Sequence, residues 1–438
     1  MTTENPNVRH IVAVAIGNAL EWYDFAIYGY VAVTISKLFF PPATGWAPLL
    51  ATFGLFAVSY VVRPIGGILL GHYADLYGRK TVLALVMGLM ATGSTMIALA
   101  PTYRTVGVAA PLIVLIARIL QGVSAGGEFS SATAFLVEHM TPQLRGLYGA
   151  WQFSGQGAAV LLSGVIGALV TRAFPVDQLE SWGWRLPFVL GAIVGPIGLY
   201  IRLKLAEAPE FLRDQKKNTH HQDSIVATLT TLRRGIAIAF GLVLGGTAAF
   251  YVLFVFIPTY AVKVLKLELS ASLVAPIVAG AIVMICCPAM GYLSDRIGRR
   301  WVMGVAIAVF AAVVYPAFRW LQAAPTVTTL AVVEVGFGVL FSAYAGAFSA
   351  AIAELFPVRG RATAMAVAYN LGVSVFGGGA PFIVTWLIAV TDDPTAPAYY
   401  VLFSMALSLV AIAVLPTRAA PAAVTSRTAK MSLNRRQD

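Results

Sequence analysis

About twelve apolar stretches, each long enough to cross a lipid bilayer as a helix, are the feature that most constrains this chain. A stretch in lipid has to satisfy its own backbone hydrogen bonds, so helices are expected, whereas an outer-membrane barrel would show shorter, alternating segments. Only 11% of the residues are charged and 59% are hydrophobic, which is too little charge to cover a water-soluble protein of 438 residues. The sequence therefore predicts an all-α integral membrane protein with twelve transmembrane helices. The predicted spans are 11–36, 48–72, 81–100, 109–138, 146–172, 184–204, 234–262, 270–293, 300–321, 327–355, 362–390 and 397–416.

The polar segments between these stretches divide the chain and orient it. The longest of them, residues 206–233, separates six predicted helices from six. Most of the 30 Lys and Arg residues fall on the side of the bilayer that carries both termini, and because basic loops stay in the cytoplasm we predict cytoplasmic termini. The predicted domains are an N-terminal six-helix bundle (1–205), a cytoplasmic linker (206–233), a C-terminal six-helix bundle (234–416) and a short basic cytoplasmic tail (417–438).

Several other classes of protein do not fit the sequence. The net charge of +11 resides in loops and tails rather than on a basic face of a soluble domain, so we expect no nucleic-acid partner. Cys286 and Cys287 are adjacent, which leaves neither a disulfide framework nor a cysteine-rich metal site. The glycines at 377–379 lack the lysine of a phosphate loop, and His220 has no partner at metal-ligand spacing beyond its neighbour. No nucleophile and base stand together, so we expect a protein that is not an enzyme and that holds no metal or cofactor.

Two motifs occur once in each half of the chain. The sequence GHYADLYGRK at 71–80 corresponds to GYLSDRIGRR at 291–300, 220 residues further on. The second pair, offset by 216 residues, consists of Glu138 with Arg145 and Glu354 with Arg361. Two motif pairs at nearly one offset indicate a duplicated six-helix unit. Parallel repeats of this kind place a substrate site near the bilayer midplane, between the halves.

The repeated motif resembles the signature loop of the major facilitator superfamily, and residues 353–361 resemble the motif that follows the tenth helix in that superfamily. Further segments are similar to the metabolite–proton symporter family within it, and over residues 10–416 the chain resembles the citrate and tricarballylate carriers of that family most. The segments are GNALEWYDF at 17–25, RPIGG at 63–67, RILQGVSAGGE at 118–128, WGWRLPF at 182–188, IPTY at 257–260 and FGG at 376–378.

The repeated motif predicts a gate at the cytoplasmic end. In each copy an aspartate closes one helix and an arginine opens the next, with a glycine that permits a tight turn between them. The two side chains can form a charge-assisted latch that favours an outward-open state until it breaks. The alternative is that the arginines serve only to orient the chain. The predicted gate residues are Asp75, Arg79, Asp295, Arg299, Glu138, Arg145, Glu354 and Arg361.

Carboxylates inside the predicted spans are the candidates for carrying the proton. Glu21 and Asp24 share one face of the first helix, and Glu128 shares a stripe of the fourth helix with Arg118. An ionisable residue within the bilayer is energetically unfavourable, so its presence indicates a functional or structural role. A carboxylate in a low-dielectric site can bind a proton near neutral pH. We therefore predict Asp24, Glu128 and Glu21 as proton-coupling residues. A structural ion pair between Arg118 and Glu128 is the alternative.

Arg118 is the strongest candidate for binding an anionic substrate, because its planar guanidinium can hold a carboxylate through two hydrogen bonds. Arg63 is a second cation inside a predicted span, and a structural role for it remains open. The other predicted substrate-binding residues are polar side chains in the spans of both halves: Gln121, Gln152, Gln156, Tyr28, Asn18, Tyr251, Tyr344 and Asn370.

The resemblance implies a proton-coupled symporter that imports a small organic carboxylate, such as citrate or a related di- or tricarboxylate, by alternating access. It leaves open α-ketoglutarate, shikimate or an osmolyte such as proline or betaine as the cargo. A membrane sensor on the same fold is the alternative outside transport, and a channel fits the duplication less well. We expect a multi-pass monomer in a bacterial cytoplasmic membrane, with the lipid bilayer, the small-molecule acid and protons as its partners.

Overall fold

A computed structural model shows that this chain folds almost entirely into helices. It describes residues 8–41, 45–77, 79–126, 128–138, 141, 143–193, 229–357 and 361–416. Within these ranges, side chains are described from residue 18 onward, except at residue 20, residues 71–84, and residues 131, 135 and 138. The linker prediction (206–233) and the tail prediction (417–438) fall largely or wholly outside the described residues.

The N-terminal half contains eleven α-helices in its described part. They are α1 Val8–Tyr30, α2 Ala32–Phe39, α3 Ala47–Val61, α4 Arg63–Tyr77, α5 Arg79–Leu99, α6 Tyr103–Val106, α7 Ala109–Ala125, α8 Glu128–Glu138, α9 Arg145–Gly149, α10 Trp151–Ala173 and α11 Val176–Ser181. A 3₁₀ turn follows at Gly183–Arg185, and residues 186–193 are helical up to the end of the described part of this half.

The C-terminal half begins again at residue 229. Its helices are α12 Arg233–Phe250, α13 Ile257–Lys263, α14 Leu269–Ser272, α15 Val274–Ile297, α16 Arg299–Ala323, α17 Val327–Glu354, α18 Arg361–Val373, α19 Ala380–Thr391 and α20 Ala396–Ala413. Two stretches of π-helix, Tyr251–Phe256 and Ser374–Gly378, join α12 to α13 and α18 to α19.

Nine helical segments within the described residues are long and apolar enough to cross a membrane. They are Ala47–Leu70, Ala109–Ala134, Arg145–Ala173, Arg233–Lys263, Leu269–Ile297, Arg299–Ala323, Val327–Glu354, Arg361–Thr391 and Ala396–Ala413. Each coincides with one of the predicted spans. The first and third predicted spans are also helical, as α1 with α2 and as α5, while the span at 184–204 is described only to residue 193. The all-helical membrane architecture is confirmed, and the count of twelve stays a prediction.

Glycine and proline residues determine where the long helices turn or widen. Gly298 has a φ of 100° between α15 and α16, which confirms the glycine turn expected in the 291–300 motif. Each π-helix lies shortly before a proline, Pro258 or Pro381. Because proline has no backbone N–H to donate to the preceding turn, a local widening accommodates the lost hydrogen bond.

The two halves contact each other at both ends of the bundle. We call the end where α15 and α17 finish, at Ile297 and Glu354, the latch end, and the end where α13 and α19 finish the opposite end. At the latch end, Gly146 and Gly291 approach so closely that a side chain on either would collide with the other's backbone. Toward the opposite end, the rings of Phe53 and Phe256 pack 5.7 Å apart. The structure is therefore occluded, with the core continuous between the halves.

Candidate functional site

A hydrogen-bonded chain of buried polar side chains crosses the N-terminal half. Arg118 donates from Nη1 to Gln121 Oε1 over 2.9 Å, and Gln121 donates from Nε2 to Ser94 Oγ over 3.0 Å. Ser94 in turn donates to Asp24 Oδ2. The chain therefore connects a carboxylate on α1 to a guanidinium on α7 through a serine on α5. We call Asp24, Ser94, Gln121 and Arg118 the coupling network.

The coupling network leaves hydrogen-bonding capacity unused at both of its ends. Arg118 is 0% exposed, and its guanidinium stacks on Tyr28 with its central carbon 3.7 Å from the ring centroid. Nε and Nη2 of Arg118 have no hydrogen-bond partner among the described residues, and neither does Oδ1 of Asp24. A buried donor or acceptor without a partner is unfavourable. These atoms are therefore positioned to accept a ligand or a proton.

A second buried pair lies beside the network. Nη2 of Arg63 is 3.7 Å from Oε1 of Glu21, and both side chains are buried. The Arg63 guanidinium also faces three rings, with its central carbon 4.4 Å from the centroid of Tyr60, 4.8 Å from that of Phe25 and 5.4 Å from that of Trp22. Aromatic faces stabilise a desolvated guanidinium by cation–π attraction. Arg63 is thus held by one carboxylate and three rings.

A small cavity of about 20 Å³ lies between the halves. It has room for about one water molecule, so a substrate enters only after the halves have moved apart. The lining side chains are mostly aromatic, and all of them except Thr247 are buried. The lining residues are therefore largely shielded from solvent by the described part of the chain. The N-terminal half contributes Trp22, Phe153 and Gln156, and the C-terminal half contributes Val243, Gly246, Thr247, Phe250, Tyr251, Phe341, Tyr344, Ala345, Phe348 and Tyr369.

Three of the predicted substrate-binding residues line this cavity: Gln156, Tyr251 and Tyr344. The other seven do not. Arg118, Gln121 and Tyr28 belong to the coupling network or pack on it, and Arg63 pairs with Glu21. Trp22 links the two regions, because its ring packs against the Arg63 guanidinium and the residue also lines the cavity. The buried charged residues therefore lie outside the cavity. We call the aromatic side chains that line the cavity the aromatic wall.

Two predicted amides instead join helices. Asn18 on α1 donates from Nδ2 to the carbonyl of Gln152 on α10 over 2.7 Å. Asn370 on α18 donates from Nδ2 to the carbonyl of Gly126 over 2.6 Å, and so connects the two halves. These bonds satisfy polar groups that would otherwise be buried without partners. Ser374, on the adjacent π-helix, makes a similar bond of 2.5 Å to the carbonyl of Tyr60.

Glu128 begins α8, ten residues beyond Arg118, and is half-buried. The ion pairs among the described residues do not include one between Arg118 and Glu128. The guanidinium of Arg118 bonds to Gln121 instead. The alternative of an Arg118–Glu128 ion pair is therefore wrong in this state, and the role of Glu128 in proton coupling stays a prediction.

The C-terminal copy of the repeated motif makes the ion pair that the sequence predicts, and it also reaches across to the other half. Nη1 of Arg299 lies 2.6 Å from Oδ1 of Asp295, and Nη2 lies 3.1 Å from Oε1 of Glu354. The carboxylate of Asp295 accepts hydrogen bonds of 2.8 and 2.9 Å from the backbone N–H groups of Gly146 and Leu147, at the start of α9. We call this cluster the Asp295 latch.

The remaining predicted gate residues are only partly described. Arg361 donates to the carbonyl of Phe356 over 3.1 Å, within the C-terminal half. Arg145 opens α9 beside the Asp295 latch. The side chains of Asp75, Arg79 and Glu138 lie outside the described residues, so the second latch stays a prediction.

Several residues of the site are not predicted from the sequence. The aromatic wall includes Phe341 and Phe348 on α17, at helical spacing on either side of the predicted Tyr344, but such a stripe is more often core than a binding surface. Ser94 shows no distinguishing local pattern. Glu334 is a glutamate within the apolar interior of α17, whose other glutamate is the terminal Glu354, and it is fully buried. An ionisable residue in a span is a recognisable signal of function, so Glu334 could have been found.

The closed bundle of apolar helices, with a cavity between two halves and charges buried beside it, defines a multi-pass membrane transporter. Comparisons with known families agree. Residues 10–234 match the family of sugar (and other) transporters, and residues 285–435 match the major facilitator superfamily. The chain belongs to the major facilitator superfamily, whose members of this kind are transporters and not enzymes.

Its relatives carry several different substrates. A citrate-proton symporter of Salmonella typhi is 36% identical and covers 93% of this chain and 94% of the relative, and one of Klebsiella pneumoniae is 35% identical and covers 97% and 96%. These relatives confirm the resemblance to the metabolite–proton symporters. A proline/betaine transporter of Salmonella typhimurium is 31% identical over 92% of this chain and 82% of the relative. A solved D-xylose-proton symporter shares the fold, with a TM-score of 0.74 at 18% identity over 94% of this chain and 98% of that structure.

Proposed function

We propose that this protein is a proton-coupled symporter that imports a small organic carboxylate across a bacterial cytoplasmic membrane by alternating access. Citrate or a related di- or tricarboxylate is the first candidate for the cargo. The observation that carries the proposal is the coupling network, because it connects a carboxylate that can take a proton to a guanidinium that can take an anion. The protein acts as a monomer, without a cofactor, and both termini lie in the cytoplasm.

The network explains how proton and substrate affect one another. A proton taken up by the unpartnered Oδ1 of Asp24 neutralises the carboxylate and weakens the hydrogen bond that Ser94 donates to Oδ2. Ser94 and Gln121 then reorient, and the change reaches Nη1 of Arg118 through two hydrogen bonds. A substrate carboxylate that takes the unpartnered donors of Arg118 acts on Asp24 through the same bonds in reverse. Coupling between two ligands of one protein is reciprocal in this way.

Access to Arg118 requires a rearrangement of the occluded state. The guanidinium packs on the rings of Phe25 and Tyr28, and none of these three residues lines the cavity. A rocking motion that opens one end moves the C-terminal half away from Trp22, which packs on Phe250 and Tyr251 of that half. Substrate that reaches the cavity then contacts Gln156 and the tyrosines first, and it contacts Arg118 after Trp22 and the C-terminal half have separated.

The citrate-proton symporters that match nearly the whole chain support a tricarboxylate. A zwitterion such as proline or betaine is the second candidate, and the composition of the cavity favours it. Six rings of Trp22, Phe250, Tyr251, Phe341, Tyr344 and Tyr369 are among the lining groups, and none of the lining residues is basic. Aromatic faces attract an ammonium group, while a citrate trianion would lack a cation in the closed cavity.

Uptake by purified protein in proteoliposomes distinguishes these candidates. We expect accumulation of one labelled acid among citrate, tricarballylate, α-ketoglutarate, shikimate, proline and betaine when the outside is more acidic than the inside. Uptake should fall to the level of protein-free liposomes when a protonophore collapses the gradient. Accumulation of betaine or proline alone would replace the first candidate by the second. Specific binding without gradient-stimulated uptake of any of the six would refute symport and favour the sensor alternative.

A further inference from the structure

A second carboxyl group is buried in the C-terminal half, apart from the coupling network. Glu334 lies on α17, seven residues after its start at Val327, and it is 0% exposed. At 1.5 Å per residue it lies about 10 Å from the helix end at the opposite end of the bundle. Neither of its carboxyl oxygens has a hydrogen-bond partner among the described residues.

Tyr30, at the end of α1 in the N-terminal half, is near enough to Glu334 for the two groups to interact electrostatically. Its hydroxyl is itself buried without a hydrogen-bond partner among the described residues. The two side chains belong to different halves, so the space between them lies on the seam that has to part when the opposite end opens. The opened seam admits water to both groups.

The helices packed against α17 bring no cation to Glu334 within the described residues. At the same depth, α16 carries Arg319 and Tyr315, and α10 carries Arg172. Both arginines are exposed, and Tyr315 packs on Tyr399. The other titratable groups on the packed elements lie at the cavity or toward the latch end. They are Glu128, Arg145, Tyr148, Arg233, Arg234, Cys286, Cys287, Tyr292, Asp295, Arg296, Arg299, Arg300, Arg361 and Tyr369.

An ionised carboxylate is costly in a dry site that offers neither a cation nor a donor, and such a group is neutral instead. When the opposite end opens, water can solvate the ionised form. We propose that Glu334 is a second proton-binding site, which takes a proton from solution at the opposite end before that end closes. The ionised group holds the seam open, and the protonated group allows α1 and α17 to close over it. This proposal deepens the proposed function and rests on it.

The test measures how closure depends on pH. Spin labels at Ser181→Cys and Ala323→Cys place one exposed reporter on each half at the opposite end, in a background with Cys286→Ala and Cys287→Ala. In the parent, the long-distance population should rise with pH. Glu334→Gln should remove this dependence and keep the closed distance at every pH. Glu334→Asp, which keeps a titrating group, should retain the dependence. Glu268→Gln, an exposed acid at the same end, serves as the matched control.

Infrared spectroscopy gives an independent readout of the closed state. The parent at low pH should show a carboxylic acid C=O band that Glu334→Gln lacks and Glu268→Gln keeps. A parent distance that does not change with pH, a dependence that survives in Glu334→Gln, or an unchanged C=O band would each overturn the proposal. If Glu334→Gln does not fold, the parent and Glu334→Asp carry the test: a parental distance that does not change with pH overturns the proposal, and a dependence whose midpoint shifts in Glu334→Asp supports it. Failure of gradient-driven uptake by the parent would refute the proposed symport separately, since the distance measurement needs no substrate.

Discussion

Arg118 is a charge buried without the usual means of stabilising it. It has one hydrogen bond, to Gln121, and an aromatic face, Tyr28, but no carboxylate within ion-pair distance among the described residues. A buried charge with so few partners is costly, and function is the common reason for tolerating it. The two free nitrogen donors give the guanidinium capacity for a substrate carboxylate that the closed structure leaves unused.

Replacing Arg118 should therefore abolish substrate binding. Loss of a partner from a buried, hydrogen-bonded charge pair typically costs about 2–5 kcal/mol, or about thirtyfold to several thousandfold in affinity. We expect Arg118→Ala to bind its carboxylate too weakly to measure by calorimetry in detergent. Arg118→Lys should recover binding only in part, because an ammonium keeps the charge but lacks the planar fork.

The control for this prediction is Arg319→Ala, which removes an exposed arginine of the C-terminal half. It should bind like the parent. A thermal melt separates binding from folding, since a purely structural Arg118 would lower the melting temperature of Arg118→Ala. A stable Arg118→Ala with parental affinity would remove Arg118 from the substrate site.

Many of the buried charged residues of the site can be predicted from residue type and position in the sequence. A glutamate, an aspartate and two arginines inside apolar spans are visible in the sequence, and the structure buries Glu21, Asp24, Arg63 and Arg118 as expected. Their partners are not visible in the same way. Ser94 is separated from Asp24 by 70 residues, and only the packing of α5 against α7 brings Ser94 to Gln121. Long-range contacts of this kind leave no local pattern.

At the scale of helices, the Asp295 latch combines two kinds of electrostatic stabilisation. The carboxylate pairs with Arg299 on its own half and also accepts two backbone hydrogen bonds at the N-terminus of the helical segment that begins with α9. The first N–H groups of a helix have no partner within the helix and carry partial positive charge, so a carboxylate is favourable there. The latch thus joins the two halves through one side chain.

Weakening the latch should shift the protein toward the state that is open at the latch end. Asp295→Asn keeps the shape but removes the charge that faces α9 and Arg299. With Ser349→Cys as reporter, in the background lacking the native cysteines, maleimide labelling should become several-fold faster. Ser349 is buried beside Gly149 at the interface of the halves, and cysteine is close to serine in size.

Asp392→Asn provides the comparison, because Asp392 is exposed at the opposite end and asparagine tolerates its φ of 52°. It should label at the parental rate. Equal labelling of Asp295→Asn and the parent would show that the motif does not control closure.

The sequence is most informative about the boundaries and turns of helices. Apolar length predicts the spans, and Gly298 was expected where the backbone turns with a positive φ. The π-helices were not predicted, although Pro258 and Pro381 mark where they end, because widening depends on how neighbouring helices satisfy the freed carbonyl groups. Tyr251, the first residue of one π-helix, lines the cavity, so this irregularity is part of the site.

The whole molecule combines a duplicated scaffold with an asymmetric distribution of charge. The described coupling network and the Glu21–Arg63 pair lie in the N-terminal half, while the C-terminal half supplies most of the aromatic wall and Glu334. Motif repetition predicted two related halves, but it could not predict this division of roles, because the residues concerned lie outside the repeated motifs. In the proposed alternating access, one half rocks against the other around the site between them.

Coupling through Asp24 is tested most directly by comparing exchange with accumulation in Asp24→Asn proteoliposomes. The amide keeps the shape of the side chain but cannot carry a proton, so the variant should exchange labelled for unlabelled substrate at a rate within a few-fold of the parent. It should lose the accumulation that an inward proton gradient drives, while Asp177→Asn, an exposed acid, should retain it. An Asp24→Asn variant that concentrates substrate as the parent does would contradict the role of the network in coupling.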